Sequence, residues 1–174
     1  MPILRQIAQL GHPVLREPAT PVRDFTDPAL ASLVEDLLVT LAGSGGVGIA
    51  APQVYVPLRV IVVASRPNAR YPHAPRMDPL VLVNPELVWS SQEKEDGWEG
   101  CLSIPGIRGL VPRAAGVKVG YRTADGETRT LELEGFPARI FQHELDHLDG
   151  VVFLDRIENN RNLISDQEYL RQFT

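Results

Sequence analysis

The feature that most constrains this chain is a pair of histidines spaced four residues apart, with a glutamate directly after the first. In His143-Glu144-Leu145-Asp146-His147, both imidazoles fall on one face of a helix, because residues i and i+4 are neighbours there. The two histidines can bind one metal ion while Glu144 reaches a water molecule on that ion. This is the H-E-x-x-H pattern of metal-dependent hydrolases. It predicts a helix with His143 and His147 as metal ligands and Glu144 as a catalytic base.

A metal ion that activates water needs a third protein ligand and one open position. The longer zincin pattern would supply a histidine at position 153, where this chain has Phe153. Downstream, Glu158 or Glu168 could complete a thermolysin-like arrangement. Upstream, Cys101 is the only cysteine, and it follows a glycine in a short motif. A lone cysteine is more often a small buried hydrophobe than a ligand, but its occurrence together with the histidine motif makes Cys101 the favoured third ligand.

Composition sets the class of protein. The chain has 174 residues, of which 44% are hydrophobic and 22% charged, so we expect residues 1–174 to form a single globular domain. A net charge of -5 argues against a nucleic-acid surface dominated by phosphate contacts. One cysteine cannot form an internal disulfide, which fits a reducing compartment. The sequence shows neither a targeting pattern nor an apolar run of membrane-spanning length, so a cytoplasmic protein without a membrane partner is expected.

Periodicity along the chain predicts an α+β fold. Asp27 and Pro28 should start an amphipathic helix that closes near Gly43, and a capping box at residues 165–168 should start a short C-terminal helix. Strands are expected at residues 58–64, 80–84, 86–90, 115–122, 128–134 and 151–154. A charged turn is expected at residues 91–97 and an irregular segment at 104–109. The predicted architecture has mostly antiparallel strands packed around a central helix, residues 136–148, that carries the metal motif.

Three separate motifs resemble those of the peptide deformylase family, in the same order and with similar spacing. They are Gly46-Val47-Gly48-Ile49-Ala50-Ala51-Pro52-Gln53, Glu99-Gly100-Cys101-Leu102-Ser103 and Gln142-His143-Glu144-Leu145-Asp146-His147. The resemblance extends from about residue 10 to about residue 156. It implies hydrolysis of the N-formyl group from the formylmethionine of newly made polypeptides, with release of formate. The implied partners are N-formyl-methionyl nascent peptides, with a transient encounter with the ribosome.

The resemblance also implies how the catalytic residues work. Cys101, His143 and His147 would hold one divalent metal ion, and such a mixed sulfur and nitrogen set accepts Fe²⁺, Zn²⁺, Ni²⁺ or Co²⁺. Fe²⁺ is the ion that the resemblance implies in the cell, with zinc or nickel often found after isolation. The backbone N–H of Leu102 and the side-chain amide of Gln53 would stabilise the oxyanion formed on the substrate carbonyl.

Substrate contacts are implied for the glycine loop and for two later residues. The loop that begins at Gly46 would line the substrate, with the Gly48 backbone against the peptide main chain. Val47 and Phe136 would line an apolar pocket for the methionine side chain. Arg108 is predicted to contact the peptide beyond its first residue.

Several charged residues near the motifs have more than one possible role. Glu99 and Asp146 could orient a ligand histidine or pair with Arg113, and a plain surface ion pair is an equal alternative for either. Arg139 lies one turn before His143, where many bacterial deformylases have an apolar residue. This departure leaves the depth of the methionine pocket open.

Two competing functions follow from the same residues. The first is a thermolysin-like metallopeptidase with a downstream glutamate as third ligand. The second is a non-catalytic binding module stabilised by metal, which would need a fourth protein ligand, because structural zinc sites are closed, and would have no use for Glu144.

Overall fold

The computed structural model describes residues 1–173, and in that range it contains eight strands and three α-helices. The strands are β1 (Gly48–Ala50), β2 (Val60–Ser65), β3 (Met77–Ser90), β4 (Lys94–Cys101), β5 (Ile104–Ala114), β6 (Gly116–Arg122), β7 (Thr128–Glu134) and β8 (Leu163–Ser165). The helices are α1 (Pro28–Ser44), α2 (Gly135–Leu148) and α3 (Asp166–Phe173). Short 3-10 helices connect some of these elements.

The strands form two sheets in which every paired neighbour is antiparallel. The larger sheet has the order β1-β2-β3-β6-β7, and the smaller has the order β4-β5-β8. Helix α2 contacts strands of both sheets, including β1, β2 and β5. Its apolar side buries Ile140 and Phe141 against Ile61 and Val63 of β2. The α+β prediction with a central helix is therefore confirmed, and the opposite side of α2 is left to carry polar residues.

Helix α1 starts at the predicted cap. The Asp27 carboxylate accepts a hydrogen bond from the Ala29 N–H at 2.8 Å, which satisfies one of the free donors at a helix N-terminus. The helix ends at Ser44, and its C-cap is Gly45, two residues beyond the predicted stop at Gly43. Gly45 has a φ of 68°, a left-handed conformation that glycine adopts without steric cost and that ends the helix.

The two strands predicted at residues 80–84 and 86–90 are parts of the single strand β3. Pro85 was expected to separate them, but it only disturbs the pairing with β6, whose register shifts between Val83 and Glu86. Asn84 takes a φ of 48° at this irregularity. A proline is tolerated there because a bulge does not require its missing N–H.

Three further predictions of local structure were wrong. The charged turn is shorter than predicted, because β4 begins at Lys94 and its exposed Glu95 pairs through the backbone with Arg113 of β5. The segment 104–109 is the start of β5 and not irregular. Residues 151–154 do not form the predicted strand, because a 3-10 helix, Phe153–Arg156, begins within them. In the first two places, pairing of the backbone between β4 and β5 forms a strand despite the polar or irregular sequence.

The C-terminal capping box behaves as predicted, since the Glu168 N–H donates to the Ser165 Oγ at 3.2 Å at the start of α3. None of the helices in the described range is long and apolar enough to cross a membrane.

Candidate metal centre

The last residue of β4 meets the polar side of α2. Cys101, His143 and His147 each place one ligand atom within 4.8 Å of the other two, and all three residues are buried. The Cys101 Sγ lies 3.3 Å from the His147 Nε2. A thiolate and two imidazoles fit a borderline-soft divalent cation, and three protein donors leave a coordination position open. The structure thus brings together the three ligands that the sequence predicted.

The charges of these groups favour the metal-binding form of the cysteine. Burial alone would raise the pKa of the Cys101 thiol, but the neighbouring His147 and His143 hold this pKa well below its usual value. Burial would likewise lower the pKa of His143, yet hydrogen bonds to Cys101 and Glu99 raise it well above its usual value. The thiolate is the form that binds a metal ion. The site therefore stabilises its sulfur ligand in the state that it needs.

Glu99 orients the first histidine. The His143 Nδ1 lies 2.9 Å from the Glu99 Oε2, which leaves Nε2 available for the metal ion. Arg113 donates two hydrogen bonds of 2.9 Å to the Glu99 carboxylate, and Arg139 donates a third at 3.0 Å. Burial would raise the pKa of Glu99, but the bonds from Arg113 and His143 lower it well below its usual value. Of the two predictions for Glu99, the buried role is the one that the geometry supports.

Asp146 extends the same network toward the surface. Its carboxylate accepts a hydrogen bond of 2.7 Å from Arg113 and another of 2.6 Å from Arg156. Pairing with Arg113 is therefore present, as the sequence predicted. Asp146 acts on His143 only through the guanidinium of Arg113 and the carboxylate of Glu99.

Glu144 lies against the glycine loop. A Cβ atom added to Gly48 would come within 2.4 Å of its Oε1, so only glycine fits opposite this carboxyl group. The Oε2 of Glu144 is buried and has no hydrogen-bond partner among the described residues. Burial raises the pKa of Glu144 to about 7. A carboxyl group with a free oxygen and this pKa is suited to accept and release a proton near neutral pH.

Gln53 is held with its amide nitrogen toward the sulfur ligand. Its Oε1 accepts a hydrogen bond from the Ala50 N–H at 2.9 Å, which fixes the orientation of the amide. Its Nε2 donates to the Ser103 Oγ at 3.1 Å and lies 3.5 Å from the Cys101 Sγ. Leu102 follows Cys101 directly and lines the same cavity as Gln53. The two predicted oxyanion donors therefore flank the cysteine.

A single cavity joins these groups to the predicted substrate residues. It is lined by the metal-centre residues Cys101, His143, Glu144, Gln53 and Leu102 and by the predicted substrate residues Gly46, Val47, Gly48 and Phe136. Arg70, Tyr71, Trp98 and Ile140 also line it and were missed from the sequence. Ile140 lies one turn before Glu144 and could have been found from helical spacing. Arg70 and Tyr71 lie in a loop without periodicity, so no sequence signal identified them.

Arg108 is not where a peptide contact requires it. Its side chain is fully buried, with 0% exposure, and its Nε donates to the Asp166 carboxylate at 2.7 Å. The guanidinium carbon lies 4.0 Å from the centre of the Tyr169 ring and 5.0 Å from that of Tyr71. Because these neighbours enclose it and it does not line the cavity, the predicted direct contact with the peptide is wrong for this conformation.

The alternative third ligands are remote from the centre. Glu158 is exposed, and Glu168 pairs with Arg171 at 2.6 Å on the surface of α3. Within residues 1–173, the only group of three or more metal-ligating side chains contains Cys101 and the two histidines. This excludes the thermolysin-like arrangement there. A structural site closed by a fourth protein ligand is excluded on the same ground.

Comparisons with known proteins agree with this geometry. Residues 4–162 match the family model described as polypeptide deformylase. The chain is 52% identical to peptide deformylase 2 of Nostoc sp. over 97% of this chain and 94% of that protein. It is 46% identical to peptide deformylase 2 of Shewanella oneidensis over 93% and 89% of the two chains. The crystal structure of a class I type b peptide deformylase from Acinetobacter baumannii with bound Met-Ala-Ser superposes with a TM-score of 0.88, at 48% identity, covering 90% of this chain and 100% of that one.

Proposed function

The chain belongs to the polypeptide deformylase family, and we propose that it removes the formyl group from the N-terminal formylmethionine of newly made polypeptides and releases formate. The observation that carries this proposal is the buried Cys101, His143 and His147 group at one end of a cavity that also contains Glu144. An enzyme of this kind is a metal-dependent amide hydrolase. In this proposal residues 1–174 act as one catalytic domain.

We propose that the three ligands hold a single Fe²⁺ ion in the cell, and that Zn²⁺, Ni²⁺ or Co²⁺ can replace it in isolated protein. The mixed thiolate and imidazole donors suit all four ions, so Fe²⁺ rests on the resemblance to the family. When bound, the ion supplies a Lewis acid and lowers the pKa of water toward neutrality. The pairing of Glu99 with His143 Nδ1 keeps the ring in the orientation and tautomer that present Nε2 as a ligand.

Glu144 is the proposed general base and then the general acid. With a pKa raised to about 7 by burial, its carboxylate can take a proton from the attacking water and retain it near neutral pH. The same proton can then pass to the amine that leaves as formate separates. The Oε2 of Glu144 is available for this transfer because no described residue forms a hydrogen bond with it.

The formyl oxygen becomes negatively charged during attack and needs donors that are already in place. The Gln53 Nε2 is held near the Cys101 Sγ by the bond from Ala50 to its Oε1. We propose this amide and the backbone N–H of Leu102 as the two donors. The Gly48 backbone would meet the peptide main chain, with Gly46 beside it in the same loop.

The methionine side chain would enter the apolar part of the cavity. Val47 and Phe136 line this part, and Ile140 of α2 adds a third apolar wall. Arg139 also lines the cavity, but its guanidinium is bound by the Glu99 carboxylate and by the Val111 carbonyl oxygen at 2.7 Å. The guanidinium is thus hydrogen-bonded on the side of Glu99, and the stem of Arg139 can border an apolar ligand.

The activity is tested by measuring formate release from a formyl-Met-Ala-Ser peptide with protein purified anaerobically and analysed for metal. We expect release of formate, with iron present in an amount close to that of the protein. Acetyl-Met-Ala-Ser should be hydrolysed far more slowly, and it serves as the matched control. Metal-loaded protein that releases no formate would contradict the proposed function.

Replacing Gly48 with alanine is expected to lower activity sharply while the metal stays bound. The added Cβ would lie 2.4 Å from the Glu144 Oε1 and 2.8 Å from an Ile140 methyl group, so the catalytic carboxyl group must move. Overpacking of this kind typically costs about 1–3 kcal/mol. The measurements are kcat and metal content. The control is Gly120→Ala on β6, where an added Cβ would lie 3.4 Å from the nearest atom of Val88, an ordinary van der Waals distance. Equal activity in the two variants would contradict the placement of Glu144.

We also propose where the enzyme meets its substrate and in which compartment it works. Nascent formyl-methionyl peptides are the proposed substrates, and these arise at the ribosome, so a transient encounter with it is proposed. A cytoplasmic location is proposed because a single thiolate ligand needs a reducing compartment to remain available for metal.

A further inference from the structure

Arg108 connects two segments that are remote in sequence. Its Nε donates to Asp166 at the start of α3, and its Nη1 donates to the backbone carbonyl oxygen of Arg70 at 3.2 Å. Its guanidinium lies between the rings of Tyr169 from α3 and Tyr71 from the loop of residues 66–76, at 4.0 and 5.0 Å from their centres. One buried cation therefore contacts both the C-terminal helix and the loop.

The loop end of this connection forms part of the substrate cavity. Arg70 and Tyr71 both line it. The Tyr71 hydroxyl accepts a hydrogen bond of 3.4 Å from the N–H of Gly100, the residue before the sulfur ligand. The Tyr71 ring also packs against Phe136, with 5.3 Å between ring centres. The position of Tyr71 thus determines the shape of the cavity beside both the metal centre and the apolar pocket.

We propose that Arg108 is a positioning residue, which clamps the loop of residues 66–76 to helix α3 so that Tyr71 and Arg70 form a wall of the peptide-binding cavity. This inference rests on the proposed function, since the cavity is taken to bind formyl-methionyl peptides. Arg108 itself does not touch the substrate. Helix α3, which contributes no ligand and no catalytic group, affects peptide binding through this clamp.

Physical properties of arginine suit the role. A planar guanidinium can stack between two aromatic rings and donate in its own plane at the same time, which a lysine ammonium cannot do. Burial of the full side chain removes competition from water and strengthens both the ion pair with Asp166 and the contacts with the rings. Aromatic packing of Tyr169 with Phe173 and Trp98, at 5.1 and 6.2 Å between ring centres, holds α3 against β4. The clamp therefore has a rigid anchor on the helix side.

Two pairs of variants test the clamp in the full-length, metal-loaded enzyme. Tyr169→Ala removes the ring over the guanidinium, and Tyr169→Phe keeps it. Asp166→Asn removes the charge that pairs with Arg108, and Glu168→Gln makes the same change on the exposed side of α3. The readouts are KM and kcat for formyl-Met-Ala-Ser, metal content, and amide hydrogen exchange of residues 66–76 by mass spectrometry.

We expect Tyr169→Ala and Asp166→Asn to raise KM about three- to tenfold, as loss of a desolvated cation contact implies. Hydrogen exchange in residues 66–76 should become faster, while kcat and metal content stay close to the parent values. Tyr169→Phe and Glu168→Gln should match the parent enzyme. An unchanged KM in both clamp variants would overturn the inference, as would a parallel fall in kcat and metal content, which indicates general destabilisation. If the parent protein releases no formate, the proposed function fails, and the exchange of residues 66–76 still tests the clamp.

Discussion

Glu144→Gln is expected to abolish most of the deformylase activity and to leave the metal bound. The amide keeps the size of the side chain but cannot accept the proton of the attacking water. A positioned acid–base group typically contributes about 10²–10⁴-fold to the rate, so kcat should fall on the order of 10³-fold. Cys101, His143 and His147 are unchanged, so metal content should match the parent. Steady-state formate release and metal analysis on the same preparation check this result.

The same substitution should stabilise the metal-depleted protein at alkaline pH. Burial raises the pKa of Glu144 to about 7 in the folded chain, above its ordinary value of 4.5. Below both values the carboxyl group is protonated in the folded and unfolded states and contributes nothing. As pH rises through this range, ionisation favours the unfolded state, at a cost that can reach about 3 kcal/mol by pH 8.

Thermal unfolding in the presence of a chelator measures this effect. Glu144→Gln should melt higher than the parent at pH 8, and the difference should shrink toward pH 5. Glu35→Gln, on the exposed side of α1, is the matched control and should show no such pH dependence. An activity loss below tenfold in Glu144→Gln would contradict the role of Glu144 as the general base, whatever its effect on stability.

The metal centre could be predicted from the sequence because each of its parts carries a local signal. Helical spacing alone places His143 and His147 on one face. Cys101 could be proposed because the chain contains a single cysteine, set in a motif with a glycine. The same is true of helix α1, whose cap is formed by the two adjacent residues Asp27 and Pro28. These features depend on neighbours in the chain, so packing does not alter them.

The errors lie where distant segments decide the outcome. The first residues of β4, 94–97, were taken for part of a charged turn because Glu95 and Asp96 are polar, but their backbone pairs with β5. Arg108 has the charge expected of a peptide contact, yet Asp166 and Tyr169, about sixty residues later, enclose it. Neither partner could be assigned to it before the position of α3 was known.

Arg139 shows how a charged residue can occupy a pocket wall. The sequence left the depth of the pocket open because a cation stands at a position that is often apolar in the family. In the structure, its guanidinium is bound by the Glu99 carboxylate and by backbone carbonyl oxygens, including those of Gly97 and Val111. Arg139 therefore hydrogen-bonds the carboxylate that orients His143, and we propose that its uncharged stem is the part that borders the pocket.

The second large effect is expected from removal of a metal ligand. Cys101→Ser and His147→Ala should each reduce bound metal to a small fraction of the parent amount and abolish formate release. Replacing Glu99, which orients His143 but is not itself a ligand, should cost less, about 10–100-fold in metal affinity, as is typical for a group that supports a ligand. Metal analysis after dialysis against a weak chelator should therefore rank the variants, with Glu99→Gln between the parent and the ligand variants.

His73→Ala is the matched control, because this histidine is exposed on the loop of residues 66–76 and does not belong to the buried group. It should retain both metal and activity. Circular dichroism of every variant separates loss of the ion from loss of the fold. Retention of the full amount of metal by Cys101→Ser would contradict the assignment of the Cys101 sulfur as the third ligand. Loss of metal in His73→Ala would show instead that the ion binds outside the centre formed by β4 and α2.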